Sequence, residues 1–298
     1  MHDRDCLHRF VFEHYPIRGH LVHLDAAWRA LIEHREYPPP VRALLGEATA
    51  AALLLAATLK FEGQLSLQLQ GTGPVHLLLA QCTEGLGLRG LARFSEAPAA
   101  GADLAGLIGE GNLTVTLETD GGGQRYQGIV PIQGEHLADS LGAYFEQSEQ
   151  VPTRLWLHAD GHGASGMLLQ RLPDAARAAH DAGAVADAWR RVQLIGDTLT
   201  PEELRTLTDR EILHRLFNED DLRLFEPAPV YFRCRCSRER VAGMLVGLGE
   251  AETRSVLAER GEVEVSCDFC NRTYRFDAVD VEQLFNPGPS SATPGRVH

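Results

Sequence analysis

The chain has 298 residues, enough for a substantial core and more than one domain, and its 44% hydrophobic and 23% charged composition is that of a globular protein. A formal net charge of −13 argues against nucleic acid, whose phosphates are gripped by basic faces. The single lysine, Lys60, stands in Leu59-Lys60-Phe61, so there is no Gly-Lys-Ser/Thr phosphate loop and no kinase lysine, which excludes the nucleotide-driven mechanisms built on them.

Met1-His2-Asp3-Arg4-Asp5 is polar where a signal peptide needs a basic start and an apolar stretch, pointing to a cytoplasmic rather than a secreted protein. Cys6 and Cys82 have no nearby cysteine partner and read as inert thiols; His14, His20 and His23 read as surface residues rather than ligands. Pro38-Pro39-Pro40 breaks the chain, and the Ala- and Leu-rich stretch from Val41 to Phe61 predicts a long buried helix. Its longest apolar run, Ala48 to Leu59, is too short to span a bilayer, so no membrane partner is expected. Leu65, Leu67 and Leu69 then alternate with polar residues, the signature of a half-buried strand over 63–71, and Gly71-Thr-Gly-Pro74 turns the chain into a second strand, Val75 to Cys82. Further strands are predicted at 88–94, 113–118, 125–132, 155–158 and 167–172, with a helix in 136–150 and a flexible turn at Gly121-Gly-Gly123. Strands joined by short Gly-rich turns, with few helices between them, favour an antiparallel α+β core.

Val185, Ala188, Trp189, Val192 and Ile195 recur at helical spacing over 184–196. Two capping boxes follow, Thr200-Pro-Glu-Glu203 and Thr208-Asp-Arg-Glu211, so two short helices are expected with apolar stripes formed by Leu204 and Leu207, then by Ile212, Leu213, Leu216 and Phe217. Helices this short are not stable alone and need a surface to dock on. Glu219-Asp220-Asp221, Pro227 and Pro229 mark a boundary. Beyond it, strands at 231–236, 262–265 and 274–276 and helices at 238–248 and 253–259 make a module too small to fold on its own core, and 287–298, rich in Pro, Gly and Ser, reads as a disordered tail. The expected organisation is thus a core (1–178), a metastable helical linker (179–229), a small C-terminal α+β domain (230–286) and a tail (287–298).

Four of the six cysteines lie in that module as two pairs, Cys234-Arg-Cys236 and Cys267-Asp-Phe-Cys270. Four thiolates on two chelating arms can close a tetrahedral site around one Zn²⁺. The same sulfurs could instead pair as disulfides, and a strained, exposed disulfide is the labile kind. Structural zinc, a redox switch and a thiol oxidoreductase therefore all stay open on the cysteines alone. Arg233, Arg235, Arg238 and Arg240 surround the first pair, and cationic neighbours favour the thiolate.

The stretch Cys234-Arg-Cys236-Ser-Arg-Glu-Arg240, followed by Cys267-Asp-Phe-Cys270, closely resembles the bacterial 33-kilodalton heat-shock chaperone family, the redox-regulated holdases. Phe12-Glu-His14, Arg18-Gly19, Tyr37-Pro-Pro39, Leu67-Gln-Leu-Gln-Gly71, Tyr126-Gln-Gly128, Tyr144-Phe-Glu-Gln-Ser-Glu-Gln150 with Pro152-Thr-Arg154, Gly166-Met-Leu-Leu-Gln170 and Glu211-Ile-Leu-His-Arg-Leu216 resemble family blocks too. The resemblance runs from about Arg9 to Phe285. It departs at Asn271, where some members have glycine; asparagine tolerates the left-handed backbone, so the turn should survive.

The resemblance implies an ATP-independent chaperone, not an enzyme and with no catalytic residue. It would be inactive when reduced with zinc on Cys234, Cys236, Cys267 and Cys270, and activated when disulfides form between Cys234 and Cys236 and between Cys267 and Cys270. It further implies unfolded proteins as clients and a homodimer on activation, with Leu204, Leu207, Ile212, Leu213, Leu216 and Phe217 as candidate client-binding residues. The rivals are a constitutive zinc-ribbon module that binds one protein partner and a thiol-disulfide oxidoreductase, whose C-x2-C would normally open a helix in a thioredoxin-like unit.

Overall fold

The computed structural model describes residues 4–119, 125–173 and 182–286; the Gly121–Gly123 turn, the first residues of the linker and the 287–298 tail lie outside them. In chain order the elements are β1 (Cys6–Phe12), β2 (Ile17–Leu24), α1 (Ala26–Ile32), α2 (Pro39–Thr58), β3 (Gly63–Gly71), β4 (Val75–Thr83), β5 (Gly87–Phe94), α3 (Leu104–Ile108), β6 (Gly111–Thr119), β7 (Arg125–Pro131) and α4 (Leu137–Tyr144) with a π-helical turn (Phe145–Glu149). They continue as β8 (Thr153–Ala159), β9 (Ala164–Arg171), α5 (Ala182–Gly196), α6 (Pro201–Thr206), α7 (Asp209–Phe217), β10 (Leu222–Leu224), β11 (Ala228–Pro229), β12 (Tyr231–Phe232), α8 (Arg238–Leu248), α9 (Glu250–Arg260), β13 (Val263–Ser266), β14 (Thr273–Phe276) and α10 (Ala278–Phe285). The chain divides into two compact units, Met1–Arg233 and Cys234–His298.

In the first unit α2 starts on Pro39 and Pro40, whose fixed φ suits the first helical turn. It is apolar on all sides because it packs against two sheets, touching β2, β8 and β9 on one and β3, β4 and β5 on the other. Gly46 permits that approach, since a Cβ there would lie 2.4 Å from the Ala159 methyl. The helix is long and apolar enough to cross a membrane by composition, but 72% of its apolar window is buried inside the protein, which makes it a core helix.

The sheets run β10-β1-β2-β9-β8, with β11 also on β1, and β12-β5-β4-β3-β6-β7. Neighbours pair antiparallel except β12, which lies parallel to β5. Leu65, Leu67 and Leu69 of β3 are fully buried on one face, as their alternation predicts.

The first sheet is covered on both faces. Leu7, Val22, Leu24 and Leu155 pack toward α2, whereas Phe10, Phe12, Leu21, Met167 and Leu169 pack with Trp189, Val192 and the apolar residues of α6 and α7. Gly19 makes room for the Phe10 ring, 2.1 Å from where a Cβ would stand. Double coverage buries β2 almost throughout, so the surface reading of its histidines is corrected: His20 and His23 are only 2% and 4% exposed, while His14, beyond β1, stays exposed beside Asp221.

The second unit contains α8, α9, the β13–β14 hairpin and α10 around a small cluster of Val241, Leu245, Val263, Tyr274, Phe276 and Val281. The strand predicted at 231–236 ends at Phe232. Arg233 N still donates to Leu88 O at 2.8 Å, and no ladder partner follows.

Candidate metal centre

The first cysteine arm is irregular chain running into α8, whose N-cap Ser237 accepts from Arg240 N. The second arm is the turn of the β13–β14 hairpin, closed by Asn271 N donating to Cys267 O at 2.8 Å and Cys267 N donating to Arg272 O at 3.0 Å. Asn271 takes a φ of 52°, the left-handed conformation that asparagine was expected to tolerate. Ser237 and the hairpin thus deliver four thiols to one place.

Cys234 Sγ lies 3.4 Å from Cys236 Sγ and 3.6 Å from Cys267 Sγ, and Cys236 Sγ lies 3.4 Å from Cys270 Sγ. None of the four is in a disulfide, and all are half-buried. A tetrahedron with metal–sulfur bonds of about 2.3 Å has edges of about 3.8 Å. The set is therefore nearly closed to that size and could hold a metal ion, and soft thiolates suit Zn²⁺.

The thiols are not equivalent. Burial and the neighbouring sulfurs push Cys234 well above the ordinary thiol range, and burial raises Cys270 as well. Burial opposes ionisation of Cys236 too, yet it comes down to about 7 because Tyr274 Oη donates to its sulfur at 3.1 Å and the other thiols add their hydrogen bonds. Tyr274 was not foreseen; only the fold brings it to Cys236. Two of the four flanking arginines are engaged within the module: Arg238 pairs with Asp280 at 2.7 Å and stacks on Phe276, and Arg240 donates to Arg235 O. They brace the module.

The candidate client-binding residues are assembled in the first unit, but inward. Leu204, Ile212, Leu213, Leu216 and Phe217 are buried and Leu207 partly so, all packed with β1, β2 and β9. Both capping boxes form: Thr200 Oγ1 accepts from Glu203 N at 3.2 Å and Thr208 Oγ1 from Glu211 N at 3.3 Å, with each glutamate returning to the cap N–H. Cys82 is buried, its thiol pushed up to about 12 by burial, in keeping with an inert role. Cys6, by contrast, lies beside His8 and Asp209, a cluster that sequence spacing hides because two of its members stand far apart in the chain.

A two-sheet antiparallel core with docked capped helices, followed by a separate four-thiol unit, defines a thiol-centred α+β protein of two units. The chain belongs to the Hsp33 family: the family model described as Hsp33 protein matches residues 5–277. Similar curated proteins include the 33 kDa chaperonin of Nitrosococcus oceani, 49% identical over 285 residues covering 96% of each chain, and that of Methylobacillus flagellatus, 46% identical over 282 residues covering 94% of each. The crystal structure of the 33 kDa chaperonin (heat shock protein 33 homologue) of Thermotoga maritima has the same fold, with a TM-score of 0.80 at 24% identity, covering 94% of this chain and 98% of that one.

Proposed function

We propose that this protein is an ATP-independent, redox-controlled holdase of the cytoplasm that keeps unfolding proteins from aggregating under oxidative stress. The observation that carries the reading is the contrast between the two units: four clustered thiols stand in a unit with a small core of its own, while the apolar stripes of the linker helices are covered in the other. Family membership supports the chaperone class, since the relatives are named chaperonins.

In the reduced state Cys234, Cys236, Cys267 and Cys270 hold Zn²⁺, which supplies folding free energy on the order of 10 kcal/mol to a domain of this kind. Each disulfide formed takes two of these thiolates, one hydroperoxide and two protons from solvent: the sulfurs lose two electrons, the O–O bond breaks, and its oxygens leave as water and, for an organic peroxide, an alcohol. Cys234 pairs with Cys236 and Cys267 with Cys270, so all four ligands are withdrawn and the module loses its support. Its chain leads straight back into β12, β11 and β10, so unfolding from Cys234 loosens those edge strands and then α6 and α7. Leu204, Leu207, Ile212, Leu213, Leu216 and Phe217 become available to apolar client segments, and two activated chains associate as a homodimer. The working division is core (1–178), linker (179–229) and switch (230–286), with neither nucleotide, nucleic acid nor membrane as partner.

One observation favours the rival of a constitutive binding module: Met244, Val246 and Leu248 of α8 are about half exposed. The oxidoreductase rival is weakened by its C-x2-C lying in a hairpin turn rather than opening a helix. A heat-unfolding client distinguishes them. Peroxide-treated protein should suppress its aggregation while reduced, zinc-loaded protein does not; equal suppression by both forms means a constitutive binder, and turnover of a small disulfide means an oxidoreductase.

A further inference from the structure

His8 of β1, His23 of β2 and Asp209, the first residue of α7, meet in the interior of the first unit at 7%, 4% and 6% exposure. His8 Nδ1 contacts Asp209 Oδ2, and His23 Nδ1 lies 2.7 Å from Asp209 Oδ1. His23 Nε2 in turn lies 2.7 Å from Leu204 O on α6. A single chain of polar contacts thus ties both capped linker helices to β1 and β2.

The proton count of this chain follows from which atoms can donate. Leu204 O only accepts, so His23 Nε2 carries a proton. In a neutral imidazole Nδ1 would then be a bare lone pair facing a carboxylate oxygen, and Asp209 Oδ1 has no other donor. Two acceptors 2.7 Å apart repel, and a buried carboxylate oxygen without a donor is costly. The contact becomes a hydrogen bond when a second proton lies between the two atoms. His8 needs no addition, because its neutral Nδ1–H tautomer already donates to Oδ2. The network therefore holds one proton more than two neutral histidines and an ionised carboxylate, which leaves the buried trio without net charge. Burial works against ionised Asp209, but hydrogen bonds from His23 and His8 hold its carboxyl down at about 2, which places the extra proton on the imidazole.

We propose that His8, Asp209 and His23 form a proton-dependent latch, which takes up one proton as α6 and α7 dock on β1 and β2 and loosens as pH rises. The closed state binds the extra proton, so closure is at full strength below about pH 6.5, where an undocked imidazole is protonated too, and weakens above it by at most about tenfold per pH unit. A cavity of about 350 Å³ reaches all three side chains and gives solvent a route to the proton. Arg4 and Arg210 on its wall oppose a cationic imidazole and Glu226 favours one, while Cys6 Sγ stands 3.8 Å from His8 Nδ1. Across the sheet β9 places Ser165 opposite His23, and Arg205 of α6 lies 3.9 Å from Asp160. Among the described residues only Asp209 forms an ion pair with either histidine, so it decides where the proton sits. On the proposed function, the linker is released by less oxidation at higher pH.

Asp209→Asn separates the latch from ordinary packing. Its amide supplies an N–H to neutral His23 Nδ1 while its oxygen still accepts from His8, so the variant closes without the extra proton. The test is hydrogen exchange on reduced, zinc-loaded, full-length protein between about pH 6.5 and pH 8.5, corrected for the intrinsic pH dependence of exchange. Protection of the 209–217 amides should fall by about ten- to hundredfold over that range in the native chain and stay level in Asp209→Asn, with α2 as the internal reference. A level native profile, or an equal fall in the variant, overturns the latch. Nitrogen-15 spectra of the native histidines, with His23 assigned by the signals lost in His23→Gln, give a readout that needs no Asn variant. Both His23 nitrogens should be protonated at about pH 7.5, and an unprotonated Nδ1 there overturns the proposal. Neither measurement involves a client, so the latch and the holdase reading stand or fall separately.

Discussion

Tyr274 sets Cys236 apart from the other three thiols, because its hydroxyl stabilises the thiolate that burial would otherwise disfavour. In metal-free reduced protein, Tyr274→Phe should slow alkylation of Cys236 near neutral pH by up to about tenfold, the change in thiolate fraction that one pKa unit brings; peptide mapping of the alkylated thiols reads it directly. An unchanged rate would leave Tyr274 a purely packing residue. Glu47 gives a second residue-scale expectation. It lies on α2 among Pro40, Ala43, Leu44 and Leu107, and burial raises its carboxyl from 4.5 to about 7. The folded state therefore holds this proton more tightly than the unfolded one, so its contribution is full below the unfolded value of 4.5 and is lost as pH rises through 7. Urea midpoints should fall between about pH 5 and pH 8 in the native chain and less in Glu47→Gln; parallel profiles would assign the fall to other groups.

The linker helices are held by local capping and by non-local burial, and the two can be separated. Thr200→Ala or Thr208→Ala removes one capping box and should cost about 1 kcal/mol each, whereas Phe217→Ala, which empties a site fully enclosed beside Phe12, should cost about 3–5 kcal/mol. All three should lower the temperature at which peroxide activates client protection, Phe217→Ala most, as measured by light scattering. These caps were legible because Thr and Glu three residues apart carry the whole motif. The strands β3 to β9 were legible too, β3 above all, whose leucines alternate against a single core. By contrast, β1 and β2 escaped notice: a strand covered on both faces loses the period-two pattern, and Arg18, His20 and His23 make it look like surface. The four clustered cysteines announce themselves by spacing, but Tyr274 and the pairing of His8 with Asp209 depend on tertiary folding that no local pattern encodes.

The whole molecule consists of two unequal units. The first has a double-sheet core around α2 and the second a much smaller apolar cluster; on the proposed function only the second depends on a metal held by its thiols. Chelation with a strong zinc ligand under reducing conditions should therefore unfold 234–286 while β3 to β7 keep their amide protection, and a cooperative loss of both would contradict that division. Hydrogen exchange on full-length protein before and after peroxide shows whether thiol oxidation in one unit uncovers the linker in the other. Amides of 182–217 should lose protection as the disulfides form, while those of α2 and β3 to β7 stay protected. Disulfides in place with 182–217 still protected would contradict it.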